Sequence, residues 1–258
     1  MDGQWSPHQR VQFQDNASGV LTDRYYANAV NFDGTNDYLG RGANLTGAAD
    51  SKQITGVWWH NGGDNTNDTI LNWSLTASFA RFFLIRRGGA AGNVIRCRAS
   101  NAAADGYALD VDGDQAVNAA AGWVCIMWSF DMSDTGKRHI YTNDTANTLS
   151  VTSYADESIP FSSADDFLVG YDGAYWAGDC GGCQLWTGVY LDISTEANRR
   201  LFIDANGKPV SPGIARAALG APIVELAGPT SDWHTNRGSG GGFTETGALT
   251  DASSSPSA

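Results

Sequence analysis

Short apolar runs alternate with clusters of Gly, Asn and Asp along most of the chain. Runs of apolar, β-branched and aromatic residues between such turn residues predict β-strands, and many short strands in series are typical of a β-sandwich or barrel. Two of the runs, 80–85 and 123–130, are almost continuously apolar, which indicates strands covered on both faces. We therefore expect an all-β protein, an antiparallel β-sandwich. The predicted strands are 29–32 with 38–39, 53–59, 69–75, 80–86, 94–99, 106–111, 123–130, 138–142, 167–171 and 182–190.

One segment, 194–202, has the pattern of a short helix. Ser194 is a hydroxyl N-cap candidate, Glu196 lies in the first turn, and Arg199 and Arg200 lie in the last turn. Charges at these positions interact favourably with the helix dipole. Little helix is expected beyond this segment.

The pattern divides the chain into three parts. Residues 1–21 are polar and irregular and are expected to form an N-terminal arm. Residues 22–205 are expected to form the sandwich domain, and residues 206–258 an extended C-terminal segment with one short strand at 222–226. Within that extension, the glycine-rich and serine-rich stretches are typical of flexible linkers.

Trp233 and Phe243 are large aromatic residues in the otherwise polar, glycine-rich extension. Ordering such a chain costs roughly 1–2 kcal/mol per residue in backbone entropy, and an aromatic side chain can bury ~150–250 Å² as an anchor. We expect both side chains to make assembly contacts with a partner surface. The alternative is that they fold back on the sandwich of their own chain.

Composition and charge exclude several functions. The chain has 28 acidic and 16 basic residues and a net charge of −12, and only four of the acids are Glu. A nucleic-acid-binding surface needs clustered cations, so nucleic acid is not expected as a partner. No apolar stretch approaches the ~18 residues of a membrane-spanning helix, and the polar N-terminus has no signal-peptide pattern. Neither a membrane partner nor secretion is therefore expected.

The four cysteines divide into two kinds. Cys97 and Cys125 lie in apolar strand patterns, where Cys behaves as a small buried hydrophobe. Cys180 and Cys183 form a C-x-x-C motif, whose spacing is compatible with plain thiols, a local disulfide or a metal site. Zinc would need a second ligand pair, and the other Cys and His are scattered. The state of this pair is left open, with plain thiols favoured.

Two oxygen-rich segments resemble calcium loops superficially. The first holds Asp110, Asp112 and Asp114, and an EF-hand would continue it with Gly at 115 and Glu at 121, where the chain has Gln115 and Ala121. The second consists of Asp64, Asn65, Asn67 and Asp68. We interpret both as solvated turns and expect no metal or other cofactor, with calcium as the alternative.

Glycan sites combine aromatic platforms with Asp or Asn side chains, usually on loops. Strand alternation places Trp58 and Trp59 on opposite faces, so at most one of them is core in a one-sided sheet. Core or inter-subunit packing is the favoured role for most of these aromatic residues. The candidate glycan-binding residues are Trp59, His60, Tyr171, Asp172, Tyr175 and Trp176.

Four segments, in order, resemble one known architecture. AVNFDGTNDYL at 29–39, QITGVWW at 53–59, WVCIMWSF at 123–130 with GKRHIYTND at 136–144, and YWAG with CQLWTGVY at 175–190 are similar to the strands of laminin-G-like jelly rolls. These belong to the concanavalin A-like lectin/glucanase superfamily, and the resemblance spans roughly residues 22–203. It implies a lectin-like jelly roll. The segment 236–257 resembles the tails of lectin-fold proteins that bacteriophages encode.

Glucanases of this superfamily carry a Glu-x-Asp-x-x-Glu arrangement on one strand, because glycoside hydrolysis needs two carboxyl groups ~5–10 Å apart. The four Glu of this chain are isolated from one another, and its four His have no obvious nucleophile partner. No catalytic residue is therefore expected.

The resemblance implies a non-enzymatic bacteriophage structural protein, displayed on a capsid or tail and assembled in the host cytoplasm. Its partners would be other virion proteins and further copies of itself, with a host-surface glycan as a possible ligand. The alternatives are a glycan-binding module, such as a tail-fibre tip or a secreted lectin, and, more weakly, a polysaccharide hydrolase.

Overall fold

In the computed structural model, two antiparallel eight-stranded sheets face each other. The structure describes residues 11–14, 21–24, 28–62, 68–74, 81–87, 94–103, 105–117 and 122–257, with the backbone alone for 11–14, 21–24, Asp68 and 81–87. This architecture confirms the prediction of an all-β sandwich. No helix in the described part of the chain is long and apolar enough to cross a membrane.

The first strands form a separate hairpin of β1 (Val11–Gln14) and β2 (Leu21–Arg24). The segment predicted as an irregular N-terminal arm therefore contains strand β1, and β2 begins at its last residue, Leu21. The rest of that arm lies outside the described residues.

We call one large sheet the back sheet. Its strand order is β12-β11-β10-β5-β15-β3-β18, and β16 also pairs with β15. The strands are β3 (Val30–Asp33), β5 (Gln53–Asn61), β10 (Val124–Asp131), β11 (Arg138–Thr142), β12 (Thr145–Ala146), β15 (Ala177–Thr187), β16 (Val224–Leu226) and β18 (Thr250–Asp251).

The other large sheet is the front sheet, with the order β13-β9-β8-β7-β6-β14-β4-β17. Its strands are β4 (Tyr38–Gly40), β6 (Asp68–Ser74), β7 (Arg81–Arg87), β8 (Val94–Ser100), β9 (Tyr107–Ala116), β13 (Ser150–Tyr154), β14 (Asp166–Val169) and β17 (Thr244–Thr246).

The main core fills the space between the two sheets. On the front sheet Leu39, Val169 and Leu71 pair in register and are fully buried, and on the back sheet Trp58 pairs with Ile126. Because side chains alternate along a strand, the two neighbours of Trp58, Val57 and Trp59, point away from this core. Among the described residues, five of the six fully buried tryptophans belong to this core, and the sixth, Trp186, lies in a second cluster. The fully buried tryptophans are Trp58, Trp73, Trp128, Trp176, Trp186 and Trp233.

The outward face of the back sheet is also buried, beneath residues 189–219, which we call the cover. The cover contains α1 (Glu196–Arg199) and α2 (Pro212–Leu219). Phe202 and Ala215 of the cover join a second apolar cluster with Trp59 and Trp186 of the sheet. All eight residues of β10 are buried, which confirms that run 123–130 is covered on both faces. The side chains of the other almost continuously apolar run, 80–85, lie outside the described residues.

The helices differ from the prediction in two ways. The predicted helix at 194–202 is a single turn, α1, and α2 is longer and was not predicted. Its signals are present in the sequence, because Pro212 occupies the first turn and Gly220 ends the helix at a φ of +85°. Proline just inside a helix start and glycine just past its end are the preferred arrangement.

Residues 222–257, which we call the strap, return along the sandwich and add strands to both sheets. β16 pairs with β15 and β18 with β3 in the back sheet, and β17 pairs with β4 in the front sheet. The expected short strand at 222–226 is present as β16, but the extension has three strands where one was predicted.

Trp233 and Phe243 are buried in the core of their own chain. Trp233 is fully buried and donates its indole N–H to the carbonyl of Gly228 at 3.0 Å, and the ring of Phe243 packs 5.9 Å from that of Phe167. The alternative considered for these two side chains, folding back on the sandwich, is therefore the arrangement found. An assembly role for the rest of the strap stays a prediction.

The glycine-rich segment 238–242 packs tightly and is not a linker. A Cβ at Gly238 would lie 2.7 Å from the carbonyl oxygen of Pro222, and one at Gly240 would lie 2.5 Å from that of Ile223. The Asn236 side chain accepts from the N–H groups of Glu225 and Gly238 and donates to the carbonyls of Ile223 and Gly241. Glycine is needed here because the backbones approach closely.

Candidate functional site

Three tyrosine rings form a partly exposed cluster at one end of the front sheet. The ring of Tyr38 stacks on that of Tyr171 with centroids 5.1 Å apart and an interplanar angle of 27°. Tyr175 lies 4.8 Å from Tyr171 and 6.2 Å from Tyr38. We call these rings, together with the neighbouring Asp172, the tyrosine site.

A tight turn after β14 brings two of the tyrosines together. Tyr171 and Tyr175 form an isolated antiparallel bridge, and the N–H of Asp172 donates to the carbonyl of Ala174 at 3.3 Å. Gly173 has a φ of +105°, which favours glycine over any other residue. Residues opposite each other across such a bridge project to the same side, so the two rings meet.

Tyr38 belongs to β4, the strand that pairs with β14 in the front sheet. Its neighbour Leu39 points into the core and is fully buried, so alternation turns Tyr38 outward. The turn before it is capped by Asp33, whose carboxylate accepts from the N–H groups of Thr35 at 2.7 Å and Asn36 at 3.1 Å. These hydrogen bonds lower the pKa of Asp33.

Polar groups border the three rings. Asp172 accepts a hydrogen bond from the hydroxyl of Thr69, and Asn72 donates to the carbonyl of Tyr171 at 3.5 Å. Asn36 and Thr246 are exposed beside Tyr38. An aromatic surface with hydrogen-bonding groups at its border can bind a ligand that is apolar on its faces and hydroxylated at its edge.

The structure brings together only half of the residues predicted from the sequence. Tyr171, Asp172 and Tyr175 share the tyrosine site. The glycan-binding prediction is wrong for Trp59, His60 and Trp176, because they are 5%, 0% and 1% exposed, and the packing role favoured for most of these aromatic residues is the one found. Both faces of β5 are covered, so alternation cannot leave either of its adjacent tryptophans in solvent.

The three misplaced residues pack inside the protein. The ring of Trp176 lies edge-on to Trp58 and His60, at 6.0 and 6.5 Å. Trp59 lies under the cover in the second apolar cluster. The sequence-based choice of sites missed Tyr38, although the strand pattern Tyr38-Leu39 already placed the two side chains on opposite faces.

The first calcium candidate is part of a strand and not a loop. Asp110, Asp112 and Asp114 lie in strand β9, so their interpretation as a turn is wrong. Asp110 and Asp112 face outward next to Arg96, whose Nε lies 2.8 and 3.3 Å from them. Cationic partners stabilise these carboxylates within the strand. The residues 64, 65 and 67 of the second candidate lie outside the description, and the described residues hold no group of three potential metal ligands.

All four cysteines are free thiols and buried. Cys180 and Cys183 both face the main core, because a register shift at the two intervening glycines replaces strict alternation. Burial raises the pKa of both thiols well above the usual range. Neither is therefore a reactive thiolate, which agrees with the interpretation as plain thiols.

No protein-family model matches the sequence, and no curated protein matches it. Solved structures match the fold. A candidate carbohydrate-binding protein from Bacteroides ovatus has a TM-score of 0.56 at 13% identity, with 90% of this chain and 61% of that chain covered. This chain therefore spans less than two thirds of that protein.

Two further matches are weaker. A heptameric SAP-like pentraxin from Limulus polyphemus has a TM-score of 0.48 at 14% identity, covering 67% of this chain and 82% of that chain. Domains LG4-5 of the mouse laminin α1 chain give 0.44 at 11% identity, covering 68% and 45%. At TM-scores below 0.5, these two matches carry no argument about this chain.

Proposed function

We propose that this protein is a non-enzymatic glycan-binding module and that the tyrosine site is its binding surface. The observation that carries the proposal is the cluster of three partly exposed tyrosine rings with a carboxylate beside them. A sugar ring presents C–H groups on its faces, which pack on aromatic rings, and hydroxyls at its edge, which bond to carboxylate and amide groups. Tyr171, at the centre, contacts both other rings and is the main platform.

The fold supports the proposal as a scaffold. The Bacteroides ovatus protein, described as a candidate carbohydrate-binding protein, shares the sandwich. Fold alone does not determine function, so the assignment depends on the chemistry of the site. The tyrosine rings are held by a strand, β4, and by a short bridged turn, and this pre-organisation reduces the entropy that binding costs.

The test is binding of a defined oligosaccharide panel: lactose, maltotriose, cellotriose, xylotriose, arabinotriose, chitotriose and 3′-sialyllactose. For the panel member that binds, we expect Tyr171→Ala to weaken binding at least about tenfold, because it removes the central ring. Tyr171→Phe keeps the ring and should stay within about threefold. Isothermal titration calorimetry gives both affinities.

Tyr107→Ala is the matched control. Tyr107 is an exposed tyrosine on β9, five strands away from β4 in the front sheet. Its substitution should leave binding unchanged. If Tyr171→Ala and Tyr107→Ala bind the panel equally well, the tyrosine site is not the binding surface. Release of reducing sugar from a bound oligosaccharide by the pure protein would contradict the non-enzymatic assignment.

We further propose the virion as the place where this module acts, with other virion proteins and further copies of the chain as partners and a host-surface glycan as ligand. This part rests on the resemblance of segment 236–257 to phage-encoded tails. Quantitative mass spectrometry of purified particles tests it. A fixed copy number per particle is expected, and absence from particles would contradict it.

A further inference from the structure

A buried carboxylate connects the strap to the turn that precedes Tyr38 of the tyrosine site. Asp37, only 3% exposed, accepts from the N–H of Ala248 at 2.9 Å with Oδ1 and from the N–H of Asp33 at 3.0 Å with Oδ2. Tyr38 follows directly in the chain. The carboxylate therefore joins the turn before Tyr38 to the strap.

The fit around this carboxylate is close. Gly247 has a φ of +83°, and a Cβ added there would lie 2.1 Å from Oδ1 of Asp37. Next to it, Thr246 of β17 pairs in register with Tyr38 of β4. The strap thus contributes the strand beside Tyr38 and the N–H group that orients Asp37.

We propose that Asp37 is a positioning residue for the tyrosine site and that docking of strap residues 244–252 and ligand binding are coupled through it. This inference rests on the proposed function, because it concerns the same site. When the strap is docked, β4 has neighbours on both sides and the ring of Tyr38 is held against Tyr171. When residues 244–252 detach, β4 becomes an edge strand and that ring loses its fixed position.

Coupling of this kind is reciprocal: a ligand that needs a docked strap must itself stabilise the docked strap. In the unmodified protein, saturation with the panel oligosaccharide should slow hydrogen–deuterium exchange of residues 244–252 about tenfold or more. Exchange in the cover should not change. An unchanged exchange rate in the strap at saturation would overturn the coupling.

Two substitutions disturb the Asp37 carboxylate in different ways. Asp37→Asn keeps the size of the side chain but can accept only one of the two N–H bonds, and Gly247→Ala displaces the carboxylate without changing it. Hydrogen bonds to a charged group are strong, so either change should disturb the position of Tyr38. We therefore expect about tenfold weaker oligosaccharide binding. The 19F resonance of 3-fluorotyrosine at Tyr38 should shift in both variants.

Asp131→Asn is the matched control. The buried Asp131 carboxylate also accepts with both oxygens, from the N–H of Ser133 at 3.2 Å with Oδ1 and from Nε2 of Gln53 at 3.0 Å with Oδ2, but it lies at the end of β10 in the back sheet. A merely structural role for Asp37 predicts that both variants lower the melting temperature and affect binding alike. A positioning role predicts weaker binding and a shifted Tyr38 resonance for Asp37→Asn alone.

The two proposals fail separately. If the unmodified protein binds no glycan, the proposed function fails, and the Tyr38 resonance still decides whether Asp37 positions that ring. If Asp37→Asn accelerates strap exchange but binds the oligosaccharide as the unmodified protein does, the coupling is overturned and the tyrosine site stands.

Discussion

Asp110 lies between two arginines on the outward face of the front sheet. Its carboxylate accepts from Nε and Nη2 of Arg96 at 2.8 and 3.0 Å and from Nε of Arg98 at 3.1 Å, while the residue is 4% exposed. Burial on its own would raise the pKa of this carboxyl, but the hydrogen bonds and charges of the two guanidinium groups outweigh it and lower the pKa. Asp is typical of turns, but a pair of arginines allows Asp110 to occupy a position within a strand.

Asp110→Asn should destabilise the protein by about 2–3 kcal/mol, because two partly buried arginines lose their shared anion. Urea unfolding at neutral pH measures this cost. Asp156→Asn is the control: the Lys52–Asp156 pair is largely exposed, at 41% and 66%, and its loss should change stability by less than ~1 kcal/mol. Equal effects of the two substitutions would contradict the argument.

The lowered pKa of Asp110 also predicts a pH dependence. A carboxyl whose pKa is lower in the folded than in the unfolded state stabilises the fold above its unfolded value of ~3.9, and the contribution disappears as pH falls through the folded value. Between pH 5 and pH 2 the unmodified protein should therefore lose more stability than Asp110→Asn. Parallel curves of the free energy of unfolding against pH would contradict this.

At the scale of single elements, the glycines of the strap are tightly packed, although a glycine-rich composition is typical of linkers. Gly240→Ala should cost about 1–3 kcal/mol, because its Cβ would overlap the carbonyl of Ile223. Gly213→Ala in α2 is the control. It meets only the Ser211 hydroxyl at an ordinary 3.6 Å and should stabilise the helix by up to ~0.8 kcal/mol. Differential scanning calorimetry should show opposite shifts of the melting temperature.

The strands were predictable where apolar runs ended at turn residues. β5, β8, β10 and β11 begin and end within about two residues of their predicted limits, because burial of alternate side chains dictates the pattern directly. β9 extends five residues further than predicted, to Ala116, and the extension begins with Asp112, whose carboxylate lies next to Arg96 of the neighbouring strand. That pairing is long-range and leaves no local signal.

The site was predictable only in part for a related reason. The turn at Tyr171 to Tyr175 carries a local signal, Asp-Gly, and aromatic residues on both sides. Tyr38 joins it from a strand far away in the sequence, and only the sheet order brings the two together. Trp59, His60 and Trp176 are also aromatic, but Trp59 is buried beneath the cover, and Trp176, with His60 beside it, is buried in the main core.

At the scale of the whole molecule, the strap is part of the sandwich. Removing residues 230–258 would delete the fully buried Trp233 together with strands β17 and β18. A single large-to-small change at a buried aromatic residue costs about 3–5 kcal/mol, and the total stability of a domain is only ~5–15 kcal/mol. We therefore expect the truncated protein to lose its cooperative thermal transition.

Circular dichroism during heating measures this loss, and Trp233→Phe provides the comparison. That variant keeps a buried ring but gives up the indole hydrogen bond to Gly228, so it should still unfold cooperatively at a lower temperature. A truncated protein that melts like the full chain would show that the strap is dispensable for the fold. Its incorporation into particles would then test the predicted assembly role alone.

The pairing of the strap with early strands also has a consequence for synthesis. Asp37 and Ala248 are 211 residues apart in the chain, so at ~5–20 residues per second a ribosome needs roughly 10–40 s to make the second after the first. Throughout that interval β3 lacks β18 and β4 lacks β17. Exposed strand edges pair readily with other chains, so this part of the nascent protein is where chaperone binding and misassembly should concentrate.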